Sequence, residues 1–214
     1  MKYGETSFCI IYLVFAIFFG ILILVKHKSK ATLLMGIATL ILGIGDSFHL
    51  VPRMLNYFID ANFNKYLGIG KLVTSITMTA FYVLMYHIVY DKEKINQNKL
   101  LTFSIYGLAL IRCGLCAFPQ NGWLTNDGDY LWGIIRNVPF VILGIIIIVL
   151  FYQNREKYNF KYFWLYITLS FAFYLVTVIG ASFVPILGMF MLPKTICYMI
   201  MVYKFYKCVE KENK

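Results

Sequence analysis

Acidic side chains are scarce in this chain, with ten against twenty lysines and arginines in 214 residues. Arginine is scarcer still, at four positions, and histidine occupies only His27, His49 and His87. Each shortage excludes something. The three histidines fall in different segments, and no metal-ligand spacing links them, so no metal site is expected. The five cysteines, Cys9, Cys113, Cys116, Cys197 and Cys208, lie in no evident outer loop, which excludes a disulfide framework.

Apolar sequence dominates instead. Hydrophobic residues make up 60% of the chain and the mean hydropathy is +0.71, whereas soluble domains run at roughly 45–50% apolar. The excess comes in discrete blocks near the roughly 20 residues that cross a bilayer as a helix. This predicts a single all-α domain, a bundle of seven transmembrane helices. It excludes a soluble α/β fold, and also a β-barrel, whose strands would be about ten residues long and alternate in polarity.

The first block covers 8–25 and is followed by Lys26, Lys28 and Lys30. A signal peptide carries its charge before the apolar core and ends in a small-residue cleavage site, so this block is expected to be retained. Further spans are predicted over 31–53, 66–90, 100–118 and 130–152. The last block, 162–203, contains one charge, Lys194. As a single helix it would measure about 63 Å, twice the hydrocarbon thickness. Gly180, Pro185 and Gly188 mark the expected turn, giving spans 162–183 and 185–205. Trp123, Tyr130, Trp132, Tyr152, Tyr162, Trp164, Tyr203 and Tyr206 gather near span ends, as interfacial aromatic belts do.

The loops are strongly asymmetric. Lys26, Lys28, Lys30, Lys92, Lys94, Lys99, Arg155, Lys157, Lys161, Lys204, Lys207, Lys211 and Lys214 lie on one side, against Lys2 and Lys65 on the other. This positive-inside pattern predicts the N-terminus outside and the C-terminus in the cytoplasm, in the plasma membrane. It also accounts for the net charge of +10 without nucleic acid. Membrane lipids are the expected surroundings, and no partner protein is indicated.

Five bases remain, and they sit inside the spans: Arg53, Lys71, Arg112, Arg136 and Lys194. Three of the four arginines belong to this set, while fourteen of sixteen lysines lie outside it. A charge in a span costs roughly 2.5–3.5 kcal/mol on insertion scales, and such residues tend to face a bundle interior or a wet cavity. All five fall in the outer half of the predicted topology, where only Asp46 offsets them. Arg53 and Lys71 are close enough to the interface to serve as ordinary anchors. Asp46 is expected to pair with Lys194 or Arg53, and His49 to be a hydrogen-bonded interior histidine. Pro52, Pro139 and Pro193 are expected to kink their helices and free carbonyl groups. The run Thr74-Ser75-Ile76-Thr77-Met78-Thr79 suits hydrogen bonding between helices.

The resulting expectation is a membrane protein that binds an anionic ligand, a lipid phosphate or small organic anion, in an outward-facing cationic cavity. Arg112, Arg136 and Lys194 would hold the anion, because arginine suits bidentate recognition of carboxylate and phosphate. Asp46 and His49 would orient them or exchange a proton, and Arg53, Lys71, Asn137 and Tyr198 complete the candidate set. The reading requires no cofactor and favours a non-enzymatic role, binding or sensing rather than ion-coupled transport.

Two other readings compete. Cys113 and Cys116 form a Cys-x-x-Cys directly after Arg112. They resemble the thiol pair of membrane thiol oxidases such as the vitamin K epoxide reductase-like and disulfide-bond-forming B proteins. That resemblance covers four residues and implies a thiol-disulfide oxidoreductase with quinone as cofactor. The shuttling second cysteine pair of those families has no counterpart in an outer loop here. The third reading is an accessory protein whose charges are all paired internally. Retinal binding at Lys194 is excluded by the missing acids, since Phe190 stands where that family has aspartate. Asp46, Ser47 and His49 cannot complete the zinc site of alkaline ceramidase-like hydrolases. Pro119-Gln120 lies in an outer loop without the three-helix repeat of PQ-loop transporters.

Overall fold

The computed structural model describes residues 2–59, 61–93, 98–156 and 160–214, without the side chains of Lys92 and Glu93. Lys94 and Lys157, with the side chain of Lys92, therefore lie outside the described residues. All α-helices among them are α1 (Lys2–Lys26), α2 (Lys30–Phe58), α3 (Asn64–Glu93), α4 (Lys99–Cys116), α5 (Tyr130–Ile135), α6 (Val138–Gln153), α7 (Phe163–Gly180) and α8 (Met191–Glu212). Short 3₁₀ turns cover Pro119–Asn121 and Pro185–Phe190. No strand occurs among the described residues.

Seven helical segments are long and apolar enough to cross a membrane, with α5 and α6 together forming the fifth and the second 3₁₀ turn and α8 the seventh. These fit a multi-pass membrane protein. Large apolar side chains such as Ile11, Val14, Phe18, Phe103, Leu110 and Ile145 are exposed on the outside of the bundle, as an acyl-chain environment allows. The first span begins at Lys2 rather than at residue 8, and the second continues to Phe58.

Successive spans run antiparallel. At one end of the bundle Arg53, late in α2, meets Glu5 in the first turn of α1, and Tyr130 donates to the carbonyl of Ile179. At the other end Asn213 donates to the carbonyl of Lys26. There the Glu212 carboxylate accepts the hydroxyls of Ser29 and Thr32, 3.1 Å from each, where those residues form the capping box that starts α2.

The prolines act differently from one another. Pro52 does not end α2, which runs on for six residues beyond it. Pro52 has no N–H to offer the carbonyl of Phe48, four residues earlier. That carbonyl instead lies against Gly70 of α3, where any Cβ would collide with it. The glycine thus lets the two backbones touch where the helix has lost a hydrogen bond. Pro139 does break its span: α5 ends at Ile135 and α6 begins at Val138. Pro193 neither kinks nor frees anything, because α8 starts only two residues before it and a first-turn N–H has no helical partner to lose.

Candidate functional site

The break before Pro139 builds the site. In a continuous helix the Asn137 N–H would bond the carbonyl of Gly133; here it turns to Ile134 instead. The Asn137 side chain replaces it, Nδ2 donating to the Gly133 carbonyl at 2.8 Å. Oδ1 then accepts from two directions, Nη1 of Arg112 at 2.7 Å and the Tyr174 hydroxyl at 2.7 Å. Nη1 of Arg112 also donates to the carbonyl of Arg136 at 3.0 Å, a group that the broken span exposes.

Arg112 is 2% exposed and is the largest fully buried side chain described. Its guanidinium lies 4.0 Å from the centre of the Phe140 ring, a cation–π contact. It forms no salt bridge among the described residues. Its Nε is buried without a hydrogen-bond partner.

Lys194 approaches the same group from α8. Its Nζ sits 5.2 Å from the ring centres of both Tyr174 and Tyr198, so Tyr174 touches Lys194 with its face and Asn137 with its hydroxyl. The Tyr198 hydroxyl is 3.2 Å from that of Tyr82, whose ring packs edge-on against Phe140 at 5.3 Å. Ser170 Oγ is buried nearby and interacts with both tyrosines without meeting hydrogen-bond geometry. Lys194 lies in the first turn of α8, where the helix dipole disfavours a cation. No hydrogen bond or ion pair holds its ammonium among the described residues. Arg112 and Lys194 are close enough to repel each other, and Asp46 is the carboxylate near enough to offset Lys194.

Asp46 does not form the expected salt bridge with Lys194 or Arg53. Its Oδ2 accepts the Tyr12 hydroxyl at 2.6 Å, because α1 packs directly on α2 and brings a buried donor closer than either base. Arg53 pairs with Glu5 at 2.8 Å, in a triad closed by Tyr57. Lys71 donates to Asn126 in the loop at 2.7 Å. Both therefore sit at the bundle end with Glu5, apart from Arg112. His49 bonds Thr74 Oγ1 at 2.8 Å, and Thr74 donates in turn to the Gly45 carbonyl. Within the hydroxyl-rich run Thr74 joins α3 to α2, while Ser75, Thr77 and Thr79 bond carbonyls of their own helix.

Arg136 points away from Asn137, toward the loop. Asn121 and Trp123 cap the carbonyls that end α4: Asn121 Nδ2 donates to Leu115 and Cys116, and Trp123 Nε1 to Cys116. That leaves Asn121 Oδ1 to accept Nη1 of Arg136 at 2.6 Å, with the guanidinium 4.4 Å from the Trp123 ring centre. The structure thus joins Arg112, Asn137, Lys194 and Tyr198 through a chain of contacts, while the side chains of Arg136, Arg53, Lys71 and His49 bond other partners. Tyr174, Tyr12, Asn121 and Trp123 were not among the sequence candidates. Seventeen tyrosines dilute any signal from Tyr174, and the other three gain their roles only through loop and interhelix packing.

Cys116 is buried and Cys113 partly buried, both as free thiols on α4, while Cys9 lies on α1 and Cys197 and Cys208 on α8. A groove lined by Leu24, Ile37, Leu40, Ile41, Ile44 and Phe48 is too apolar to attract an anion. No family model, curated protein or solved structure matches this chain.

Proposed function

We propose that the protein binds an anionic ligand, a lipid phosphate or small organic anion, between Arg112 and Lys194. In this reading the membrane is the plasma membrane, the N-terminus is outside, and the cationic cavity is reached from that side. The observation that carries the reading is the meeting of two span cations at Asn137 and Tyr174 without a salt bridge to either among the described residues. Leaving a buried charge uncompensated costs about 3–5 kcal/mol where it has been measured by removing a partner. A bound anion would offset that cost. The α8 dipole adds to the positive potential. Arg136, Arg53, Lys71 and His49 have structural partners and are supporting groups in this reading. With no path of charged groups toward the opposite end among the described residues, this reading favours binding or sensing over ion-coupled transport.

The test is a thermal-shift screen of the purified protein against lipids and small anions. The parent is expected to be stabilised by at least one anion, and Arg112→Ala and Lys194→Ala to lose that response. Variants that respond to every anion as the parent does would exclude the site.

A further inference from the structure

The way Arg112 spends its donors defines the ligand more narrowly. A guanidinium has five N–H donors in a fixed plane. Both bonds that Arg112 makes come from Nη1. Nε is buried without a partner, and Nη2 makes no hydrogen bond among the described residues. Nε–H and the adjacent Nη2–H point the same way and form the side-on fork of the group. On a side chain that is 2% exposed, this fork is a pair of adjacent donors with no acceptor among the described residues, matched in spacing to two oxygens of one anion.

We infer that the ligand presents a singly charged group with two equivalent oxygens, a carboxylate or a lipid phosphodiester, held side-on by Nε and Nη2 of Arg112. This rests on the anion-binding reading and sharpens it. Geometry supplies one reason: fork and oxyanion match in planarity and spacing, and such paired bonds are the strongest that arginine makes. Formal charge supplies the other. Counting only the two cations that meet at Tyr174 and the carboxylate of Asp46 near Lys194, and leaving Arg136 with its loop partners Asn121 and Trp123, the surplus is one. A monoanion cancels it. Sulfate or a phosphate monoester would replace a buried surplus of one sign by the other, and a chloride ion would bend both N–H bonds toward a single centre. Since Nε is sealed from solvent, a side chain covering it must move when the ligand enters.

The small number of arginines makes this testable without relying on a variant at Arg112 to fold. Protein labelled with ¹⁵N-arginine gives at most four Nε–H signals, assigned by Arg53→Lys, Arg136→Lys and Arg155→Lys. Acetate, benzoate and phosphatidylglycerol in nanodiscs are the two-oxygen monoanions; sulfate and chloride are the controls. The Arg112 Nε–H signal is expected to shift with the carboxylates, with phosphatidylglycerol, or with both, and to stay in place with the controls. A shift with carboxylate alone identifies a free organic anion, and a shift with phosphatidylglycerol alone a lipid headgroup. Arg112→Lys, which keeps the charge and loses the fork, should bind the active probe at least about tenfold more weakly, the loss of one charge-assisted hydrogen bond. A signal that ignores all three monoanions overturns the inference, as does a shift shared by sulfate or chloride. The latter leaves anion binding at Arg112 standing, whereas an unchanged thermal response in Arg112→Ala removes both.

Discussion

The two sides of the bundle treat their polar groups differently. On the α1–α2–α3 side the span charges and the histidine hold specific side-chain partners: Arg53 has Glu5, Asp46 has Tyr12, His49 has Thr74 and Lys71 has Asn126. On the α4–α6–α7–α8 side, among the described residues, Arg112 has a carbonyl, an amide oxygen and a ring, and Lys194 has two rings. Buried charges are ordinarily paired or hydrogen-bonded in full. The first side comes close to that rule through its own side chains. On the second side neither Arg112 nor Lys194 has a carboxylate in contact among the described residues, and it is there that the proposed ligand would contribute.

The contrast can be broken by measuring stability in micelles. Asn137→Ala should have the largest effect, more than about 3 kcal/mol, because it strips partners from Arg112, Tyr174 and the Gly133 carbonyl together. If it costs little, Arg112 does not depend on neutral oxygens. Gly70→Val comes next, at about 2–3 kcal/mol, because the new side chain meets the Phe48 backbone, which cannot give way. Tyr12→Phe should cost about 2 kcal/mol by removing the donor to buried Asp46. Arg53→Ala should cost under about 1 kcal/mol, since its side chain is 39% exposed. All four are read as shifts in the denaturant midpoint. An Arg53→Ala effect as large as that of Asn137→Ala would erase the distinction between the two sides.

Much of the helical architecture was legible in the sequence because it depends on local quantities. Block length and hydropathy placed seven spans, and Gly180 and Pro185 marked the fold-back of the last block, where α7 ends and the second 3₁₀ turn begins. Arg112 and Lys194 stood out for the same reason, as charges in apolar runs. Their partners were not legible. Asp46 was expected to find a base, yet Tyr12 is closer because α1 lies on α2, a contact that no spacing within either helix encodes. Arg136 and Asn137 are neighbours in sequence, yet the break before Pro139 sends one toward Asn121 and the other toward Arg112. Proline chemistry alone could not separate these outcomes. Pro52 passes within a helix, Pro139 ends one and Pro193 sits harmlessly in a first turn.

The central claim is that Arg112 lacks a counter-ion that a ligand supplies. The most direct measurement is the melting temperature of Asn137→Asp with and without acetate, benzoate or phosphatidylglycerol. Aspartate would place a carboxylate where Oδ1 now lies 2.7 Å from Nη1, at the cost of the bond to the Gly133 carbonyl. The account predicts a folded protein whose melting temperature no longer responds to an anion that stabilises the parent, because the internal carboxylate has taken the ligand's electrostatic role. An Asn137→Asp protein that responds as fully as the parent would contradict it.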